Sequence, residues 1–126
     1  MRSLFIIAAI LAAAALPAVA LSSTAPTRDQ RAELRKAVKS SGLVSRSVRK
    51  HFSLFKPRVA DNGRWAKAGI LPTNGYSDPF NAPKGLFKHK SSGGWKLVKY
   101  GTSGVGCSKP RLSRAVRKDL KLRCSG

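Results

Sequence analysis

The chain has 126 residues, with 25 Lys plus Arg against 5 Asp plus Glu, for a formal net charge of +20 at pH 7. Such a surface repels itself and attracts polyanions, which bears on partners and solubility rather than on fold. No P-loop, GxGxxG, HExxH or EF-hand pattern is present. Two isolated histidines and two cysteines do not make a zinc site, which needs three or four converging ligands. No metal or cofactor is therefore expected.

Met1-Arg2 opens the chain with one positive charge, and the apolar run "SLFIIAAILAAAALPAVA" follows, ending in Ala18-Val19-Ala20. A charged start, an apolar middle and an A-x-A exit are the parts of a secretory signal peptide. Residues 1–20 are read as that signal, 21–27 as a polar lead-in and 28–126 as one secreted domain. An uncleaved anchor is the alternative, since the apolar run is near the lower spanning limit of about 17 residues. The Pro and the cleavage pattern favour removal.

Thr27-Arg28-Asp29-Gln30 fits a capping box. Leu34, Ala37, Val38 and Ser41 follow at helical spacing, so a helix is predicted from about Arg28 to Ser41, stopped by Gly42. Its other face is Arg31, Arg35, Lys36 and Lys39. Residues 43–60 mix β-branched and aromatic residues with charges and read as one bent strand or two short ones. Pro57 argues for an edge position or a bulge. Asp61-Asn62-Gly63 predicts a three-residue hairpin loop with Gly63 in the left-handed region, and "RWAKAGILP" is the return strand.

The segment 72–85, rich in Gly and Pro, reads as a loop. "LFKHK" and "WKLVKYG" are two further strands joined by Ser91-Ser92-Gly93-Gly94. Pairing Lys90 with Trp95 would put Phe87 opposite Val98 with Tyr100 on that side, and Leu86, Trp95 and Leu97 on the other. A last helix is predicted to start near Pro110, a favoured first-turn residue. Leu112, Ala115, Val116 and Leu120 would form its apolar stripe, with Leu122 beyond. Arg111, Arg114, Arg117, Lys118 and Lys121 would form its basic face. The fold class is thus α+β: an antiparallel sheet of about four strands with an N-terminal and a C-terminal helix.

Export leads to an oxidising compartment, where Cys107 and Cys124 have only each other to pair with. Their bridge would close a loop of about 18 residues around the basic last helix, for which chain entropy gives about 3 kcal/mol. That is a large share of the roughly 5–15 kcal/mol expected of a small domain. The disulfide is read as structural.

"RVADNGRWAKAGILP", "GGWKLVKYGTSGVGC" and "RAVRKDLKLRC" together resemble an arrangement found in small secreted actinobacterial proteins of uncharacterised function. That arrangement runs helix, strand, acidic turn, "RWA" strand, hairpin, GTSG-x-x-C turn, and a helix ending near a second Cys. The resemblance spans residues 28–124 and implies a fold and an extracytoplasmic compartment. It implies no activity. The abundance of Lys and the long 72–85 loop depart from it.

Three functional readings follow. The first is a non-enzymatic domain that associates electrostatically with an anionic partner outside the cell: wall polymer, anionic lipid surface or acidic protein. Its anion-binding residues would be Arg31, Arg35, Lys36 and Lys39 on the first helix and Arg111, Arg114, Arg117, Lys118 and Lys121 on the last. The second is a metal-independent ribonuclease, with His51 and His89 as acid and base among lysines. The third is an inhibitor or interaction module recognised through the 72–85 loop. Basic residues beside aromatics (Lys50-His51-Phe52, Phe55-Lys56, Arg64-Trp65, Lys99-Tyr100) also fit single-stranded nucleic acid. Core duty for these rings is the stronger expectation in a domain this small. Ser103 in "GTSG" lacks the G-x-S-x-G frame of a serine hydrolase.

The signal reading makes the first prediction. N-terminal sequencing of the exported product should find Leu21 first. A product beginning at Ala25 or later would move the site, and a full-length, membrane-retained product would reverse the reading.

Overall fold

The computed structural model describes residues 22–73 and 82–124. The expected signal at 1–20 and most of the 72–85 loop lie outside the described residues. In chain order the elements are α1 (Arg28–Lys39), α2 (Arg46–Lys50), β1 (Phe52–Val59), β2 (Trp65–Pro72), β3 (Lys84–His89), β4 (Trp95–Gly101) and α3 (Arg114–Asp119). The strands form one antiparallel sheet in the order β1-β2-β3-β4. With the Cys107–Cys124 disulfide, this is the expected small α+β domain.

α1 forms as its capping box dictates. The Thr27 hydroxyl accepts from the Gln30 backbone N–H at 3.1 Å, and the Gln30 side chain accepts from the Thr27 N–H at 2.9 Å. Leu34, Ala37 and Val38 are its buried face. The helix ends at Ser40 rather than at Gly42, because Ser40 N–H and Oγ both donate to the Lys36 carbonyl at 3.1 Å.

The run 43–60 is not all strand. Ser45 caps α2 by accepting from Val48 N–H at 3.4 Å, and β1 starts only at Phe52. Pro57 does mark a bulge on an edge strand. Phe55 lies opposite Gly69 and Arg58 opposite Lys67, so β1 spends one more residue than β2 there. Lys56 takes up the distortion with φ 45°. The outer edge of β1 is covered in part by the lead-in, through a bridge between Thr24 and Val59. The β1–β2 turn has Gly63 at φ 68°, as its type requires. Its loop is four residues, Asp61 to Arg64, because Ala60 N–H already bonds Trp65 O at 2.8 Å.

The expected β3–β4 register fails between the turn, where Lys90 N–H bonds Gly94 O, and a second bulge, beyond which Leu86–Lys99 and Gly85–Tyr100 pair as that register requires. His89 pairs with Trp95 and Phe87 with Leu97, while Leu86 pairs with Lys99. Val98 is therefore the extra residue. Phe87 shares a face with Trp95 and Leu97, and Leu86 shares the other with Val98. A slip of one residue exchanges faces, which is why the simple hairpin pairing missed this.

The sheet thus separates two cores. Leu34, Val38, Ile70, Phe87, Trp95 and Leu97 pack together on the α1 side. Leu86, Val105, Leu112, Leu120 and Leu122 pack together on the α3 side, with Trp65, Val98 and Val116 against them. α3 is shorter than the sequence suggests. It starts at Arg114 behind the cap Ser113, whose hydroxyl accepts from Val116 N–H at 3.3 Å. Pro110 and Leu112 precede the helix. Leu112 N–H is held by Gly106 O at 2.9 Å, so Leu112 plugs the core from an irregular segment. Ala115, expected in the apolar stripe, is exposed.

Six helical residues stabilise little on their own. Two attachments hold the segment down. Asp119 Oδ2 accepts from Asp61 N–H at 2.8 Å, and the disulfide ties Cys124 to Cys107 with Cα atoms 5.7 Å apart. A Cys107→Ser, Cys124→Ser variant should lose about 2–5 kcal/mol in denaturant unfolding. Amide exchange should quicken around Leu112, Leu120 and Leu122 before it does around Leu34 and Phe87. Uniform quickening across both cores would contradict a local role.

Candidate anion-binding site

Residues of β2 alternate between the two cores. Ala66, Ala68 and Ile70 are buried on the α1 side, and Trp65 packs on the α3 side. Lys67 and Gly69 follow Trp65 on that second side. α3 covers the Trp65 end and stops short of the rest, leaving a cleft of about 800 Å³. Phe55, Pro57, Gly69 and Leu120 form its apolar surface, and Ala25 and Pro26 of the lead-in border it. Gly69 lets Phe55 lie close: a Cβ there would sit 3.2 Å from Phe55 Cβ.

Six cationic side chains line this cleft: Arg31, Lys56, Arg58, Lys67, Lys84 and Lys121. No carboxylate does so among the described residues. They arrive from α1, β1, β2, β3 and the segment after α3. The two guanidinium groups are braced by the protein. Arg58 Nε donates to Ser23 Oγ at 3.1 Å and its terminal nitrogen to the Ser23 carbonyl. Arg31 reaches the Leu54 carbonyl at 3.4 Å.

Lys67 is the innermost amine. Burial, then the charges of Lys84, Lys121 and Arg58, bring its pKa from 10.5 down to about 8. A lowered amine pKa means that the charged form destabilises the native state. Above about 8 the folded protein releases this proton while the unfolded chain still holds it, so this group makes stability rise with pH up to its unfolded value.

Two of the cleft lysines have unusual backbones. α3 ends in a Schellman motif: Leu122 N–H bonds Arg117 O at 2.8 Å and Lys121 N–H bonds Lys118 O at 3.2 Å. Its C′ position, normally Gly, is Lys121 at φ 55°. Lys56 at the β1 bulge has φ 45°. A left-handed residue with a Cβ costs roughly 1–2 kcal/mol. Both line the cleft, whereas the third left-handed lysine, Lys109 at φ 47°, does not.

The helix cations expected to form the site are divided. α1 and α3 lie on opposite faces of the sheet, so their basic faces do not merge. Arg31 and Lys121 do reach the cleft. Arg35 instead lies over the Phe52 ring, 5.0 Å from its centroid. Lys36 is exposed, and Lys39 joins Arg46, Arg49 and Lys50 of α2 around a shallow depression. Arg111, Arg114 and Lys118 are exposed on the α3 side. Arg117 is half-buried, with Nη1 2.9 Å from Cys124 Sγ and a buried Nε that has no partner, so it packs on the disulfide. Arg58, Lys67 and Lys84 were not singled out from the sequence, and Lys56 only as the neighbour of Phe55. Their only signal there is strand periodicity, which needs the bulge at 56–57 to be known first.

The two histidines do not converge. His51 adjoins the C-terminal end of β2, where its carbonyl accepts from Thr73 N–H at 2.9 Å. His89 adjoins the other end, with its N–H bonded to Arg64 O at 2.8 Å. β2 has eight residues, which separates its ends by about 23 Å. One acid/base pair cannot be built across that span. The aromatics are also engaged: Phe52 and Trp95 are buried, Trp65 packs on the α3 core, and His89 meets Trp95 edge-on at 5.0 Å. Among the described residues no three His, Cys, Asp or Glu gather as metal ligands, and no helix is long and apolar enough to cross a membrane.

Comparison with protein-family models, curated proteins and solved structures found no match. The actinobacterial resemblance rests on its motifs alone, and function has to be read from the geometry.

Two substitutions should separate stability from charge. Lys121→Gly should raise unfolding free energy by about 1 kcal/mol, by relieving the left-handed lysine. Lys67→Met should raise the melting temperature at pH 7 and flatten the rise in stability between pH 8 and 10. Thermal and denaturant melts across that pH range check both. A destabilised Lys67→Met at pH 7 would show that the amine makes a native contact stronger than its repulsions.

Proposed function

We propose that the protein is a non-enzymatic, exported binding domain that associates electrostatically with an anionic partner, and that the Lys67 cleft is its principal contact. The observation that supports this is convergence. Six cations from five separate segments line one cleft, at the cost of a desolvated amine and two left-handed lysines. A basic surface serving only solubility needs none of these. Solvated charges are cheapest when spread apart. The exposed cations of α1, α2 and α3 then add a diffuse field that draws the partner in.

An electrostatic contact should weaken steeply with salt, because bound counterions are released on association. Retention on heparin should therefore fall continuously through a salt series. A Lys84→Gln, Lys121→Gln variant should elute at lower salt than a Lys36→Gln, Lys39→Gln variant, although each loses two charges. Retention that survives high salt would refute the electrostatic reading. Equal shifts for the two variants would refute the cleft as its principal contact.

A further inference from the structure

The cleft lysines do more than add to the net charge. Lys67, Lys84 and Lys121 belong to β2, β3 and the C′ position of α3, and the charges of Lys84 and Lys121 act on Lys67 directly. Lys84 and Lys121 also border a second depression beside Ser103 and Gly104, so they form the ridge between the two. Three clustered amines, one of them depressed, are relieved most by a ligand that brings several negative charges into the same few ångströms. A phosphodiester or a carboxylate brings one. Two adjacent phosphates bring two or three. The braced Arg58 and Arg31 add field without having to be ordered on binding.

Room and surface remain beyond the amines. About 800 Å³ lies within the roughly 300–1,000 Å³ typical of small-molecule sites. Phe55, Pro57 and Leu120 give that space an apolar wall next to the lysines. The combination fits an anionic head on an apolar body better than a bare ion or a long uniform polymer.

We propose that the cleft binds an organic pyrophosphate, with its two adjacent phosphates held by Lys67, Lys84 and Lys121 and its organic part lying over Phe55 and Pro57. This rests on the anionic-partner reading above and narrows its ligand. Binding draws Lys67 back toward protonation, because the phosphates offset the burial and the charges of Lys84, Lys121 and Arg58 that act on it, with Lys56 and Arg31 lining the same cleft.

Calorimetry of the purified protein at constant ionic strength tests this with four probes: inorganic pyrophosphate, geranyl pyrophosphate, dimethyl phosphate and acetate. Pyrophosphate should bind at least about tenfold more tightly than dimethyl phosphate, the size of one charge-assisted contact, and geranyl pyrophosphate more tightly still. Lys67→Gln with Lys84→Gln should lose that preference, and Lys36→Gln with Lys39→Gln should keep it. Near pH 8.5, binding should take up a proton, seen as a buffer-dependent enthalpy that Lys67→Gln abolishes. Should the double variant fail to melt cooperatively, Lys121→Gly replaces it and should show the same loss. Phosphatidylcholine vesicles with and without geranyl pyrophosphate, set against soluble ADP, distinguish a lipid-borne source from a free one; binding to either supports the site. Equal affinity for pyrophosphate and dimethyl phosphate, or equal losses in the two lysine pairs, overturns it. If salt-sensitive heparin retention persists in that case, only the pyrophosphate assignment falls. If retention is insensitive to salt, the broader reading falls with it.

Discussion

The architecture turns on a mismatch of lengths. β1 and β2 each have eight residues, a span of about 23 Å, while α3 has six, about 8 Å. The α1 side of the sheet is covered by a twelve-residue helix that buries Leu34, Ala37 and Val38. The α3 side has enough cover for Leu86, Trp65 and Val98 and no more. An uncovered sheet face must be polar, or small and recessed. Here it is both: Lys67 and Lys84 stand on it, and Gly69 lowers its floor. The cleft is the unroofed part of the second core.

The same mismatch explains the crosslink. A six-residue helix with several like charges cannot hold its place by propensity, and the second core is small. The disulfide and the Asp119–Asp61 contact restrain the two ends of the segment. They also fix where α3 stops, and so where Lys121 stands. A left-handed lysine at C′ is tolerated because Leu122, just beyond, is buried and locks the Schellman turn. The position that terminates the helix is thereby made to deliver a cation to the cleft.

Much of the fold was legible in local chemistry. The Thr27–Gln30 capping box, Gly63 and Pro57 each encode a feature within three or four residues, and each feature is present. What was missed depended on longer range. Ser45 caps a helix that the β-branched run around Val44 and Val48 disguised as strand. The Leu86–Phe87 bulge has no marker residue, yet it goes with Trp95 and Leu97 sharing the Phe87 face, opposite to where the simple pairing puts them. Pro110 looked like a first helical residue, but Leu112 was needed in the core, and Ser113 took over as cap. The site was hidden for a related reason. Arg31, Lys56, Lys67, Lys84 and Lys121 share no spacing, and each sits among other lysines and arginines. Only strand register brings them together.

Charge density is what distinguishes these lysines from the other cations. Lys36, Lys39, Arg46, Lys50, Arg111, Arg114 and Lys118 are exposed, and their pull on an anion is screened over about 8–10 Å of salt solution. Such groups attract polyanions without sorting them. In the cleft, Lys67 has given up part of its hydration and lies among three positive neighbours, so its charged form is disfavoured there when no anion is present. Destabilisation of that kind is returned in proportion to the charge a ligand brings to that spot. Unselective attraction and selective capture can therefore coexist on one small, strongly basic domain. On the proposed reading the outer cations would raise the local concentration of anions, and the cluster around the partly desolvated Lys67 would discriminate among them by how closely their charges are packed.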